Sequence, residues 1–144
     1  MTRVYIPATL RTLAELRERG ELTVDEAYAV TRALRDQLGD DDDEELSYAA
    51  FRLAAGASVR LLGADPAAPR RRVVISVDVP AEPLPGAAAV RPAGPVPLSA
   101  VAAVHVDGAA AGPDVVAAIA AGEPEVDHEL EWYDTSELAA LLDS

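Results

Sequence analysis

The residues of this chain that could do chemistry concentrate near its C-terminal end. The chain has no cysteine and two histidines. One of them, His128, shares a short segment with the only tryptophan, Trp132, and with the carboxylates of Glu131 and Asp134. An imidazole beside a carboxylate is typical of a general base or ligand held by an orienting group. The catalytic hypothesis therefore assigns that role to His128, oriented by Glu131 or Asp134.

The same segment has a structural interpretation. If residues 128–133 form a strand, alternation places His128, Leu130 and Trp132 on one face. Leu130 and Trp132 would then be core residues, and the indole N–H would need a buried partner. His128 would stand at the strand end, while Glu129 and Glu131 would face solvent.

The second histidine, His105, lies two residues before Asp107 in an apolar run. On a strand the two side chains share a face, which suits a metal pair, a base with its orienting acid, or a polar strand face. The histidines could share a site only if their strands adjoin, and a zinc or iron site normally has three converging ligands. We therefore expect no metal and no other cofactor. The chain also lacks the glycine-flanked serine of serine hydrolases and the glycine-rich loops of nucleotide sites.

Arg70, Arg71 and Arg72 form the only basic cluster. Guanidinium groups in a row could bind an anion or an acidic partner surface. Alternatively, they are a charged strand entrance that pairs with the acidic run at residues 40–43. That run lacks the pattern of a calcium loop and suits the positive end of a helix.

The charge balance restricts the partners. With 25 acidic and 12 basic residues, the net charge is -13. A field of this sign repels phosphate backbones, so no nucleic-acid partner is expected, whereas a basic protein or a cationic ligand is compatible. The cysteine-free composition fits the cytoplasm, and no apolar stretch approaches the roughly 20 residues of a membrane span.

Local patterns predict alternating strands and helices. A strand at residues 3–6 is ended by Pro7, and a helix capped by Thr9 ends at Gly20. The strongest strand covers residues 73–79, and the next segment, 81–97, is a loop with a short edge strand at 88–91. A helical turn at 98–101, a strand at 102–107, a helix from Pro113 to Gly122 and a final helix capped by Asp134 complete the pattern.

Two further regions lie between these elements. Residues 23–38 fit either a helix capped by Thr23, or a strand at 27–31 followed by a helical turn at 33–38. Residues 45–62 predict a long helix with Asp42 as its cap, stopped by Gly63 and Pro66. Its apolar stripe would consist of Leu46, Ala49, Ala50, Leu53, Ala57 and Leu61.

Together these elements predict a single α/β domain over residues 1–144, with α+β as the alternative. We expect a mixed sheet of about four to six strands, with residues 72–79 as a central strand, covered by several helices.

Several short blocks, in this order, resemble an uncharacterised actinobacterial family, domain-of-unknown-function family 6912. The resemblance covers nearly the whole chain and implies no reaction or catalytic residues. Relatives tend to place a proline directly after the block at 27–31, which a continuous helix does not accommodate, so the resemblance implies a strand there. This chain departs from the pattern with Arg32 at that position. The blocks are residues 3–7, 27–31, 40–50, 69–74, 96–99, 104–107 and 128–133.

No convergent catalytic set is visible in the sequence. The leading hypothesis is therefore a small acidic cytoplasmic interaction or regulatory module, with a protein partner or with itself. The alternative is a small-molecule hydrolase or ligand-binding enzyme that uses His128 and His105 with nearby carboxylates.

Overall fold

The structure, a computed structural model, describes residues 1–39 and 41–143, and within them the chain forms a layered α/β fold. In chain order the strands are β1 (Thr2–Ala8), β2 (Glu21–Leu22), β3 (Ala27–Ala29), β4 (Val73–Val79), β5 (Ala81–Pro83), β6 (Ala89–Pro92), β7 (Val96–Pro97), β8 (Val101–Asp107) and β9 (Leu130–Tyr133). The helices are α1 (Leu10–Arg19), α2 (Arg32–Leu38), α3 (Asp43–Ala64), α4 (Gly112–Ala121) and α5 (Leu138–Asp143). Short 3-10 turns cover Leu98–Ala100, Ala109–Ala111 and Thr135–Glu137.

The predicted α/β class is confirmed, but the sheet differs from the expected one in two respects. Seven strands of the described residues form one sheet in the order β5-β6-β3-β1-β4-β8-β9, rather than four to six. Every ladder is antiparallel, so the sheet is not mixed. The short strand predicted at residues 88–91 is present as β6, although it is not at the edge, and the proline-rich segment adds β5 beyond it, because a short edge strand tolerates proline. The apolar run of β4 predicted burial on both faces. Burial on both faces does not determine whether a neighbouring strand is parallel or antiparallel.

Helices cover both faces of the sheet. On one face, Leu13 and Leu16 of α1 and Leu138 of α5 pack against Ile6 and Ile75. On the other face, α3 packs against side chains that include Tyr28 and Val74. Strand β4 is therefore buried from both sides, as predicted for an interior strand.

The N-terminal predictions are largely confirmed. Thr9 caps α1, and Gly20 takes the left-handed conformation after it, at φ 77°. Pro7 does not end β1, which continues to Ala8. Strand β3 pairs with β1 only at Val4 and Tyr5. In the described part of the chain, no partner strand therefore lies where the N–H of residue 7 would point, and proline at this position costs no ladder hydrogen bond.

The ambiguous region forms a strand followed by a helix. Strand β3 is shorter than the predicted strand at residues 27–31, and Thr31 rather than Thr23 caps α2 through the Leu34 N–H. The Thr31 hydroxyl also donates to the carbonyl of Ala87.

The buried side of α3 is rotated relative to the predicted stripe. Asp42 caps the helix as expected, but Leu53 and Leu61 are 43% and 41% exposed. Ala54 and Ser58 lie on the sheet side instead, because their small side chains allow the helix to approach closely. The Ser58 hydroxyl donates to the Ala8 carbonyl (2.7 Å) and accepts from the Val73 N–H (3.1 Å). The helix also passes through Gly63 and ends at Ala64.

The C-terminal segment contradicts one important prediction. Strand β9 begins at Leu130, so His128 lies before it, and Trp132 is 62% exposed rather than part of the core. The reason is the position of β9 at the sheet edge, beyond the strands β3, β1 and β4 against which α3 packs most extensively. The predicted capping box of Asp134 and Glu137 is present.

Candidate functional site

A depression of about 360 Å³ opens on the α3 side of the sheet, next to β9. The chain has one tryptophan, one phenylalanine and four tyrosines, and the tryptophan, the phenylalanine and two tyrosines line this depression. We call it the aromatic depression. Its lining residues are Arg3, Tyr5, Ser47, Tyr48, Phe51, Ser76, Ala103, His105 and Trp132.

Strand register explains why these side chains meet. Tyr5 is paired with Ser76 across β1 and β4, and His105 is paired with Trp132 across β8 and β9. The ring of Phe51, from α3, stands edge-on to Tyr5 at 5.8 Å and edge-on to His105 at 4.9 Å between ring centres. The sheet therefore supplies the floor, and one turn of α3 supplies a wall.

A serine and a histidine are hydrogen-bonded at this floor. The Ser76 hydroxyl lies 2.8 Å from His105 Nε2, and Ser76 is only 2% exposed. Burial of the imidazole, helped by the positive charge of Arg3, lowers the pKa of His105 from 6.5 to about 4. The imidazole is therefore neutral at physiological pH, and one member of the pair donates while the other accepts.

The rim of the depression carries a paired arginine. Arg3 donates to both carboxylate oxygens of Asp78, at 2.7 Å and 3.2 Å. These hydrogen bonds hold the pKa of Asp78 below its usual range. The two charges offset one another, so Arg3 does not act as a free cation at the rim.

The Ser76–His105 contact has the first two members of a nucleophile–base–acid arrangement. Asp107 lies on the same strand face as His105, but its carboxylate is fully buried and bound to Arg72. Among residues 1–39 and 41–143, no group of three histidine, aspartate or glutamate side chains could hold a metal ion.

The residues of the C-terminal hypothesis do not converge. His128 Nε2 lies 2.6 Å from Asp114 Oδ2 of α4. His128 borders a second groove of about 700 Å³ beside α2 and α3, which shares Tyr48 and Phe51 with the aromatic depression but does not include His105. The Asp134 carboxylate caps a 3-10 turn, and hydrogen bonds from Ser136 hold its pKa below the usual range. Glu131 occupies the strand face opposite Trp132. The two histidines therefore line different cavities.

The three arginines bind the chain itself. Arg70 donates to the carbonyls of Leu62, Asp65 and Ala68 near the end of α3, and Arg71 donates to the Asp107 carbonyl.

Arg72 is 4% exposed and binds both carboxylate oxygens of Asp107 at 2.8 Å. The expected pairing with the acidic run is not present in the described residues: Asp43 pairs with Arg35, and Asp40 lies outside them. The guanidinium of Arg72 is buried and donates to groups of the chain itself rather than to an external anion.

Sequence comparison supports the resemblance inferred from the short blocks, since a family model matches residues 2–142. The chain belongs to a family of unknown function (DUF6912). The comparison with curated proteins finds no match, and the comparison with solved structures finds none. Membership in this family therefore does not indicate which reaction, if any, the protein catalyses. None of the described helices has the length and apolarity to cross a membrane.

His105 and Trp132 stand out in the sequence, but Ser76, Tyr5, Tyr48 and Phe51 were not predicted to surround them. Ser76 is the single hydroxyl in the apolar run 73–79, and Tyr48 and Phe51 are three residues apart on α3. Both features are visible in the sequence. Their convergence depends on strand register and on the rotation of α3, which the sequence pattern does not fix.

The buried imidazole predicts a pH-dependent stability. Because the pKa of His105 is about 4 in the fold and 6.5 when unperturbed, the unfolded chain binds the extra proton between these values. The stability that the neutral imidazole contributes is present above pH 6.5 and is lost as the pH falls towards 4. His105→Gln should therefore flatten this part of the pH profile of the unfolding free energy, measured by urea titration. Parallel profiles for the two proteins would contradict the assignment.

Proposed function

We propose that this chain is a cytoplasmic binding module that recognises a cationic side chain of a basic protein partner in the aromatic depression. The observation that carries the proposal is the convergence of Tyr5, Tyr48, Phe51 and Trp132 on one open depression in an aromatic-poor chain. A cluster of exposed aromatic rings commonly marks a site of interaction with a ligand or partner. Among the aromatic side chains, tryptophan attracts a cation to its ring face most strongly.

The charge distribution favours a cation over an anion. The net charge is -13, and the imidazole in the depression is neutral. Glu44 precedes Ser47 and Tyr48 by three and four residues, so its exposed carboxylate lies on the same helical face. Among the described residues that line the depression, Arg3 is the only cation, and Asp78 offsets its charge.

The chain already contains one contact of the proposed kind. The guanidinium carbon of Arg52 lies 5.9 Å from the centre of the Tyr48 ring. Contacts of this type contribute about 0.5–2 kcal/mol, depending on how far they are desolvated. A single side chain would therefore bind weakly, and a partner would need further contacts with the surface around the depression.

The single tryptophan makes the proposal directly testable. Capped arginine (N-acetylarginine methylamide) should change the emission of Trp132, and capped citrulline, which has nearly the same shape without the charge, should bind about 2- to 30-fold more weakly. The measurement is a fluorescence titration at low salt. Equal binding of the two compounds, or no binding of either, would contradict the proposal.

A pair of variants separates the depression from the rest of the surface. Tyr48→Leu removes one wall and should weaken the binding of capped arginine about threefold or more. Tyr133→Leu makes the same change next to Trp132 but on the opposite face of β9, where Tyr133 packs with the core of α1 and α5. This control should leave the affinity unchanged.

A hydrolase is the second candidate function, and the Ser76–His105 contact of 2.8 Å favours it. His105 would accept the hydroxyl proton while Ser76 Oγ attacks the ester carbonyl carbon. The bond to the leaving alcohol would break as His105 returns the proton to it, and water would then hydrolyse the acyl-serine. If so, the protein should release nitrophenol from p-nitrophenyl acetate, and Ser76→Ala should abolish the release. Ser47→Ala is the matched control, because Ser47 lines the same depression without touching His105. A rate that Ser76→Ala leaves unchanged would eliminate this candidate.

A further inference from the structure

Strand β9 has an unpaired edge. It is the last strand of the large sheet, and its ladder is formed with β8 alone. In the part of the chain that the structure describes, no other main-chain or side-chain group bonds the N–H and C=O groups of Leu130–Tyr133. An edge of this kind is a template for a further strand.

Strand β8 determines which groups of β9 point outward. The Asp107 N–H donates to the Arg72 carbonyl across to β4. Because the main-chain groups of a strand alternate in direction, His105 also directs its groups towards β4. Val104 and Val106 therefore direct theirs towards β9.

The partners of these two valines on β9 are Tyr133 and Glu131. Their main-chain groups are used in the ladder with β8. The N–H and C=O groups of Leu130 and Trp132 consequently point away from the sheet. Trp132 thus contributes twice to the same corner: its indole lines the aromatic depression, and its main chain lies on the open edge.

The opposite edge of the sheet is unsuitable for pairing. It is formed by β5, which contains Pro83 and directly follows Pro80. Because the Pro80 carbonyl accepts from the N–H of Ala93 on the β6 side, alternation directs the groups of Pro83 outward, and Pro83 removes an N–H donor that a new strand would need.

The charges around β9 favour a basic occupant over a second copy of this chain. Glu129, Glu131 and Asp134 are exposed along this edge. In an antiparallel pair of two β9 strands that aligns Leu130 with Trp132, Glu131 stands opposite its own copy. Like charges directly opposite each other destabilise a strand pair, whereas opposite charges stabilise it.

We propose that the partner docks as an extended basic segment that adds a strand to β9. This proposal rests on the proposed function, because it names the part of the partner that presents the cation. In an antiparallel pairing, the Cα atom of the partner residue opposite Trp132 would lie about 5.5 Å from the Cα atom of Trp132. The side chain of that residue would be on the same face of the sheet as the indole. An arginine at this position would reach the aromatic depression while its main chain bonds Trp132.

Backbone methylation of a peptide tests the strand pairing without changing charge. The probes are two isomers of a short capped peptide of alternating arginine and valine. One isomer is N-methylated at every arginine, and the other is N-methylated at every valine. If arginine pairs with Trp132, methylation at arginine removes the N–H groups that face β9 and should weaken binding about tenfold or more, whereas methylation at valine should not. Trp132 emission and the protection of the Trp132 amide against hydrogen exchange are the readouts.

The outcomes separate docking from cation recognition. Equal binding of the two isomers, with citrulline peptides still weaker, would overturn strand addition and leave the proposed function standing. A preference for the valine-methylated isomer that persists when citrulline replaces arginine would support strand addition and overturn cation recognition. A dimer of the chain that the peptide cannot dissociate and that Trp132→Ala abolishes would identify a second copy as the occupant and overturn the proposal.

Two variants with the same change in net charge locate the peptide. Glu44→Gln should weaken binding about two- to fivefold, because the exposed Glu44 carboxylate lies on the helical face that borders the aromatic depression, on the side of the sheet where the arginine side chain would lie. Glu82→Gln makes this change on β5 at the other edge and is the matched control. An equal loss in the two variants would show attraction to the overall charge alone and would overturn the docking site.

Discussion

The ion pair between Arg72 and Asp107 joins three neighbouring strands at one end of the sheet. Arg72 directly precedes β4, Asp107 ends β8, and the same guanidinium donates to the carbonyls of His128 (2.8 Å) and Val126 (3.4 Å) in the link before β9. Removing two charges from water costs several kcal/mol for each ion, so a buried pair is tolerated only when the remaining donors and acceptors are also bonded. Here the main-chain N–H of Arg72 donates a further hydrogen bond to the Asp107 carboxylate. Within the described residues, no buried side-chain nitrogen or oxygen lacks a partner.

This pair connects the fold to the candidate site. Strand β9 is short and lies at the sheet edge, and within residues 1–39 and 41–143 its main-chain ladder is formed only with β8. The guanidinium of Arg72 anchors the chain just before it, and the capped turn at Asp134 anchors the chain just after it. Trp132 can therefore remain exposed on an ordered strand beside the aromatic wall of α3. A rigid exposed ring loses little conformational freedom on binding, which is what a recognition surface requires.

Much of the fold follows from local sequence signals. The caps at Thr9, Asp42 and Asp134 are set by contacts within a few residues, and the apolar run of β4 reflects burial on both faces. Contacts between residues that are distant in the sequence could not be predicted from these local signals. The sequence pattern could not show that Ala54 and Ser58, rather than Leu53 and Leu61, face the sheet, because close approach favours small side chains over large apolar ones. Similarly, the arginine run gave no sign that Arg72 would turn inward, since its partners are distant in sequence. The exposure of Trp132 followed from the position of β9 in the sheet, which residue types do not encode.

The most direct test of this account is hydrogen exchange of the backbone amides in Asp107→Asn, with Asp78→Asn as the control that breaks an exposed pair on the same sheet. The neutral amide that replaces the Asp107 carboxylate cannot balance the buried charge of Arg72, and breaking a pair of this kind costs about 3–5 kcal/mol. The account predicts that protection falls most at the amides of Glu131 and Tyr133, well beyond the loss at Val4 and Ile6 of β1, and that the control leaves all four unchanged. Loss of protection that is uniform across the sheet, or β9 amides that remain as protected as in the unaltered chain, would contradict it.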